Sequence, residues 1–304
     1  MRVTTSMIAG NLIARLAQTT ERIYQLQGQI ASGKRVLRPS DDPTAAAEAR
    51  SLRSDLAQIG RYADNVSYAT NLLQDLDGTL SAIANTVRDA RDIAVQAANP
   101  TLTQNQPVAL AAQVDQLIGR LVSLGNTQRD GRYIFAGHRT LTQPFAASGS
   151  PPPPVDYSGD SGQMQIEVAQ GETVVANITG DTLFNAGGAA NPALDDLFTT
   201  LTHLRDEILA GDANAVSARL ADLDAHLSRV LELRAEVGGR VNRLQLSADR
   251  LDNMRISLSE MASKAEDADL ARAVVDLQTQ QNIYQATAAS AAQIGQLTLL
   301  DFLR

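Results

Sequence analysis

The chain has 304 residues, 44% of them hydrophobic, and a net charge of −8, which is material for about two domains of ordinary size. It has no cysteine and three histidines, so disulfides, thiolate metal sites and cysteine nucleophiles are excluded and little is left for metal or acid–base chemistry. The acidic balance argues against a general nucleic-acid binder, whose affinity comes from neutralising phosphates.

The core is expected to be aliphatic and helical. Trp is absent, and five Phe and six Tyr are too few for aromatic clusters to be the main cement. Ala and Leu are abundant, and Pro avoids residues 44–99 and everything after 192. Charge is unevenly placed. Residues 1–38 carry six basic groups and one acid, residues 256–304 carry three basic and six acidic, and no Lys or Arg lies between Arg139 and Arg205. The two ends should therefore attract each other, and the middle stretch should be a solvated acidic surface.

At the start, Ile8, Leu12, Leu16, Ile23, Leu26 and Ile30 follow a three-four rhythm, with Thr19 filling the gap, as in one seam of a coiled coil. Gly33 ends that helix, and a basic loop leads to Asp42-Pro43, a helix start with an Asp cap and Pro in the first turn. The next helix runs from Thr44 to Ala98, roughly 80 Å, a length that nothing compact needs. Asn99-Pro100 stops it, and a second helix opens at Pro107 and folds back through Leu110, Val114, Leu117, Leu121 and Leu124.

Between about 131 and 190 the rhythm changes. Four consecutive Pro at 151–154, several Gly, and the alternation Met164 to Val168 followed by Thr173 to Ile178 around Gly171 predict a small β-rich insertion with a hairpin. Helical spacing resumes at Leu194, pauses at Gly211 and then runs almost unbroken to the end. Leu223, Val230, Val237, Leu244, Leu251 and Leu258 stand seven apart, a register that needs a partner helix. Gly238-Gly239 inside it should cost ~2 kcal/mol relative to two Ala, which suggests a kink or a close helix approach. The run Leu277 to Leu300 lacks charge but holds six Gln, so it reads as amphipathic and not as a membrane span. No seven-residue apolar run follows Arg2, so no secretory signal is expected.

Catalytic patterns are thin. Gly159-Asp160-Ser161-Gly162 matches the tetrapeptide around a serine-protease nucleophile, but a turn of ordinary loop composition explains it better. Asp41-Asp42 and Asp195-Asp196 sit at predicted helix starts, where capping accounts for them better than acid–base work. His203 and His226 read as structural or solvent-facing.

Two stretches carry a family likeness. Ala31-Ser32-Gly33-Lys34-Arg35-Val36, followed by Arg38-Pro39-Ser40-Asp41-Asp42-Pro43, resembles the flagellin superfamily in its hook–filament junction branch, with Pro43 where filament members usually have Ala. Gly131 to Gly137, Val237 to Leu244 and Glu266-Asp267-Ala268-Asp269 with the Gln- and Ala-rich tail extend the resemblance over most of the chain.

The resemblance implies a non-enzymatic structural subunit of the bacterial flagellum, outside the cell at the hook–filament junction. It also implies export unfolded through the flagellar type III system without a Sec signal, and no cofactor or metal. The implied partners are further copies of the chain in a ring-like layer, a hook-side junction protein, flagellin and an export chaperone, with no nucleic acid and no membrane insertion. The side chains expected to pack against neighbouring subunits are those of the first seam, Ile8 to Ile30, together with Leu270, Val274, Leu277, Tyr284, Ile294, Leu297 and Leu300.

The expected fold is mainly α: a long antiparallel helical rod or coiled coil with paired N- and C-terminal helices and a small β-rich insertion. Its divisions would be terminal polymerisation and export segments at 1–43 and 259–304, a helical rod domain at 44–135 and 191–258, and an outer β-rich domain at 136–190. A filament flagellin is the rival within the family. A soluble helical signalling or adaptor rod is the rival outside it, and would lack the β-rich insertion.

Overall fold

The computed structural model describes residues 5–99, 105–147, 155–185 and 194–302, and the side chains of Ile8, Ile294, Leu297 and Leu300 lie outside the described set. The Pro run at 151–154 lies outside it as well. The chain forms two compact units, the first from residues up to 59 and from 253 onward, the second from residues 60–252.

The first unit contains α1 (Thr5–Ser32), the start of α2 (Pro43–Ala97), the end of α6 (Ala213–Glu266) and α7 (Leu270–Phe302). The terminal helices pair as expected, α1 lying along α7. Leu26 of the α1 seam is buried, while Leu12, Leu16, Thr19, Ile23 and Ile30 are half-buried. The helix run to the chain end, expected to be nearly unbroken, is interrupted at residues 267–269. No Pro or Gly marks the break; α7 restarts because Asp269 accepts a bond from the Arg272 amide at 3.1 Å.

The second unit is built on heptads. Val66, Leu73, Leu80, Val87 and Ala94 form one row of α2 and Ala69, Leu76, Ile83, Ala90 and Ala97 the interleaved row, and all ten are buried. In α6 the seven-residue row reaches back to Val216 and on to Leu251 with no member more than 3% exposed. Arg91–Asp224 at 2.6 Å and Arg234–Asp77 at 2.9 Å tie α2 to α6. Against these lie α3 (Gln106–Gly125) and α5 (Leu197–Ala210), which pack on each other. Asp196 caps α5 through the Thr199 amide at 3.0 Å, and Gly211 ends it at φ +69.

Among the described residues the β-rich part is three separate antiparallel pairs. β1 (Gln128–Arg129) and β2 (Arg132–Tyr133) turn through Asp130 and Gly131, both at positive φ. β3 (Phe145–Ala147) pairs with β4 (Val155–Tyr157), and β5 (Gln165–Ala169) with β6 (Glu172–Val175) around Gly171, the expected hairpin. The short α4 (Gly180–Phe184) follows.

Two expectations fail here, the one for the glycine pair only in its close-approach alternative. Aromatic side chains do form a cluster: Phe145 lies 4.8 Å from Phe184 and 5.2 Å from Tyr157, and Phe184 stacks on Phe198 at 5.0 Å. Scarcity misled because four of the five Phe converge where the insertion meets α3 and α5, so tightly that a Cβ on Gly125 or Gly180 would fall 2.6 Å from Phe145. Gly238 and Gly239 make no close approach, since a Cβ on either meets nothing within 4 Å and both are exposed on α6. The acidic stretch stays solvent-facing at Glu167 and Glu172, and these two carboxylates also find partners on the long helices: Arg250 pairs with Glu172 at 3.0 Å and Tyr62 donates to Glu167 at 3.2 Å.

Candidate functional site

The family-like motif between α1 and α2 turns out to be a clasp. Gly33 takes φ +70, which a side chain would resist, and donates its amide to the Gln29 carbonyl at 2.8 Å to end α1. The chain then pairs for two residues with the α6–α7 turn. The Arg35 amide donates to the Glu266 carbonyl at 2.7 Å, and the Ala268 amide donates to the Gly33 carbonyl at 2.9 Å.

Side chains lock that bridge. The Lys34 ammonium donates to the Glu266 and Asp267 carboxylates, Arg53 of α2 donates to Glu266, and the Arg35 guanidinium donates to the Ala265 carbonyl at 2.9 Å. Glu266 is 8% exposed, so its carboxylate is removed from water and satisfied by two cations from different segments. Asp267 and then Glu266 hold the Lys34 ammonium above its ordinary pKa, and Lys34 and then Ser263 hold the Asp267 carboxyl below its own.

The rest of the motif shapes the entry to α2. Arg38 to Asp41, with Pro39 and Ser40 between, form a turn: the Arg38 amide donates to the Asp41 carboxylate and the Asp41 amide to the Arg38 carbonyl, each at 2.9 Å. Asp42 then caps the helix through the Ala45 amide at 3.0 Å, with Pro43 as its first residue. That amide, followed by the Arg35 guanidinium, holds the Asp42 carboxyl below the usual range. Capping was the sequence expectation for Asp42 and Asp196, and both do it.

Beyond the clasp, the α7 residues expected to pack on neighbours divide. Leu277 is half-buried, whereas Leu270, Val274 and Tyr284 are exposed at 41–49%. Ala273, absent from the expected set, is the buried contact of that stretch. Exposed apolar side chains also stand off the seam, with Ile13, Tyr24 and Val275 at 65–68%. Sequence reasoning missed Glu266 as a site residue, although the opposite charges of the two chain ends pointed to it. It also missed Arg53, which nothing local distinguishes.

The protease-like tetrapeptide has a structural job in the second unit. Asp160 accepts from the His138 amide at 2.7 Å and the Gly162 amide at 2.9 Å, which lowers its carboxyl pKa, the His138 bond first. The His138 ring Nε2 lies 3.1 Å from the Gln163 carbonyl oxygen, and Ser161 lines a polar recess beside Arg240. His203 faces Asp195 at 3.4 Å, and His226 is buried with Thr200 Oγ1 at 3.2 Å. Among the described residues no group of three or more His, Asp or Glu could hold a metal ion, and no helix is long and apolar enough to cross a membrane.

Terminal helices that pair with each other, a clasp joining the two ends, and apolar surface left over beside that pair define an assembly subunit of the flagellin type. The bacterial flagellin N-terminal helical region matches residues 3–140 and the bacterial flagellin C-terminal helical region matches residues 220–303, and the chain belongs to the flagellin family. It is 28% identical to flagellar hook-associated protein 3 of Escherichia coli K12, over 94% of this chain and 95% of that one. To a flagellin of Halalkalibacterium halodurans it is 25% identical, over 95% and 96%. The crystal structure of flagellar hook associated protein-3 from Legionella pneumophila shares the fold with a TM-score of 0.63 at 18% identity, covering 71% of this chain and 98% of that one.

Proposed function

We propose that this chain is the structural subunit of the junction layer between hook and filament. The observation that carries the reading is the first unit's exposed apolar surface: Ile13, Tyr24, Leu270, Val274, Val275 and Tyr284 lie on α1 and α7 in the open, where burial against further subunits would remove them from water. The full-length likeness to a protein named for hook association supports the junction over the filament, as does Pro43 at the start of α2.

In this reading residues 1–43 and 259–304 polymerise and carry the export signal, 44–135 and 191–258 are the helical middle, and 136–190 faces outward. Partners are further copies in a ring-like layer, a hook-side junction protein, flagellin and an export chaperone. The chain reaches the cell exterior by type III export and does no catalysis. Its work is packing.

Immunogold labelling of intact flagella tests this: label confined to the hook–filament boundary is expected, and label along the filament would move the reading to filament flagellin. The flagellin relative at 25% identity keeps that second reading specific, and electron microscopy of concentrated protein separates the two. A junction subunit must match two different neighbours, so it should not grow long filaments alone.

A further inference from the structure

Beside the clasp, in the first unit, lies a groove of about 380 Å³ between the loop after α1 and the start of α2. Leu37, Pro39 and Ala46 give it an apolar side, and Leu37 is 40% exposed. Its rim is cationic: Lys34, Arg38, Arg50 and Arg53 line it against a single carboxylate, Glu266, to which Lys34 and Arg53 donate. Among the described residues Arg38 and Arg50 have no side-chain acceptor. In a chain of net charge −8 this concentration of cations is out of character.

The same stretch of α2 carries the complement on its other side. Glu48 and Asp55 are exposed, one heptad apart, and without a cationic partner among the described residues. At ~100° per residue, Glu48 and Asp55 project within about 20° of each other, and Arg50 and Arg53 within about 60°. The two pairs point about 180° apart, with buried Ala45, Ala49 and Leu52 between them on one side and small Ala47, Ser51 and Ser54 on the other. One helix thus presents a basic flank and an acidic flank back to back.

We infer that the groove receives the Glu48–Asp55 flank of a second copy of this chain. A surface whose two complementary halves lie on opposite sides of one helix makes a heterologous contact: each copy's groove takes the next copy's flank, and repetition closes a ring if the rotation allows. Charge complementarity selects a copy as occupant, since the acidic flank is part of the same helix and the rest of the chain would repel its own kind. Ser51, beside the two carboxylates, leaves the flank free of bulk for close approach. The inference rests on the layer reading above and gives it a lateral contact.

The chain has no cysteine, so a thiol pair can be placed without background. Flagella are isolated from cells making the full chain with Arg50→Cys and Asp55→Cys in place of the wild type, and treated with a short bis-maleimide. The expected result is a ladder of multiples of this chain, absent with either single variant, since residues 50 and 55 face opposite ways within one copy. Junction label with no ladder overturns the contact and leaves the junction reading standing. A cross-link to a different protein also overturns it, because the groove then serves an axial neighbour. Wild-type flagella with no label at the junction overturn the layer reading and the contact with it.

A charge swap guards against a variant that merely folds poorly. Arg50→Glu should lower junction occupancy by about fivefold, the loss of one well-placed exposed ion pair per contact, and adding Asp55→Arg should restore it. A swap that melts like the wild type yet stays absent from the junction overturns the proposal.

Discussion

In the second unit Leu73, Leu80, Val87, Leu223 and Leu244 are sealed from water, whereas in the first unit Ile13, Tyr24 and Val275 stay more than 60% exposed although they too sit on long helices. The heptad rows of α2 and α6 are buried, the pairs Arg91–Asp224 and Arg234–Asp77 tie those two helices together, and the aromatic cluster fastens the insertion to α3 and α5. The α1–α7 pair has one partly filled seam and a charged clasp at its root. Helical periodicity alone therefore does not say whether a seam is satisfied inside the chain. The side chains left over beside the seam do.

The sharpest way to break this comparison is to attack the packed unit alone. Phe184→Ala should destabilise it by about 3–5 kcal/mol, because Phe184 is fully buried against Phe135, Phe145 and Phe198. Calorimetry reads the shift; a loss under ~1 kcal/mol would mean that the cluster is not what holds the insertion. Next in size, Gly238→Ala with Gly239→Ala should stabilise the protein by up to ~2 kcal/mol, since the new methyls meet open space on an uninterrupted helix. A lower melting temperature would show that the glycines serve a bend after all.

Glu266→Gln should cost about 1 kcal/mol in thermal stability, as its cationic partners Lys34 and Arg53 are themselves 39% and 62% exposed and can return to water. Its signature is local: protease cleavage should rise in α1 and α7 and not in the second unit. The smallest effect at neutral pH comes from His226. Burial lowers its pKa, with Asp196 and Asp222 only partly opposing, so below about pH 6.5 the unfolded chain takes up a proton that the folded one refuses. Stability contributed above that pH is lost as pH falls, and His226→Gln should flatten the slope between pH 7.5 and 5.5 in thermal melts of the second unit.

What was readable in the sequence is what local chemistry decides. The α2 and α6 seams, the Asp42 and Asp196 caps, and the hairpin around Gly171 each depend on residues a few positions apart. The aromatic cluster was hidden because Phe135, Phe145, Phe184 and Phe198 are scattered over three kinds of element and meet only in the folded chain. The clasp was half visible: opposite charge at the two ends pointed to Lys34 and the Glu266-Asp267 pair, but Arg53 reaches Glu266 across 213 positions with no pattern to announce it. The glycine pair misled for the opposite reason in one of its two alternatives, since a local penalty was read as pointing to a kink or a close helix approach and the exposed face of α6 offers no such approach.

The central claim is that the first unit is completed by neighbours and the second is complete by itself. Hydrogen exchange followed in the verified monomer and again in isolated flagella tests it most directly. The amides of α1 and α7 should exchange far faster in the monomer than those of residues 66–97 and 216–251, and become protected on assembly. Equal protection of the terminal helices and the heptad core in the monomer would contradict it.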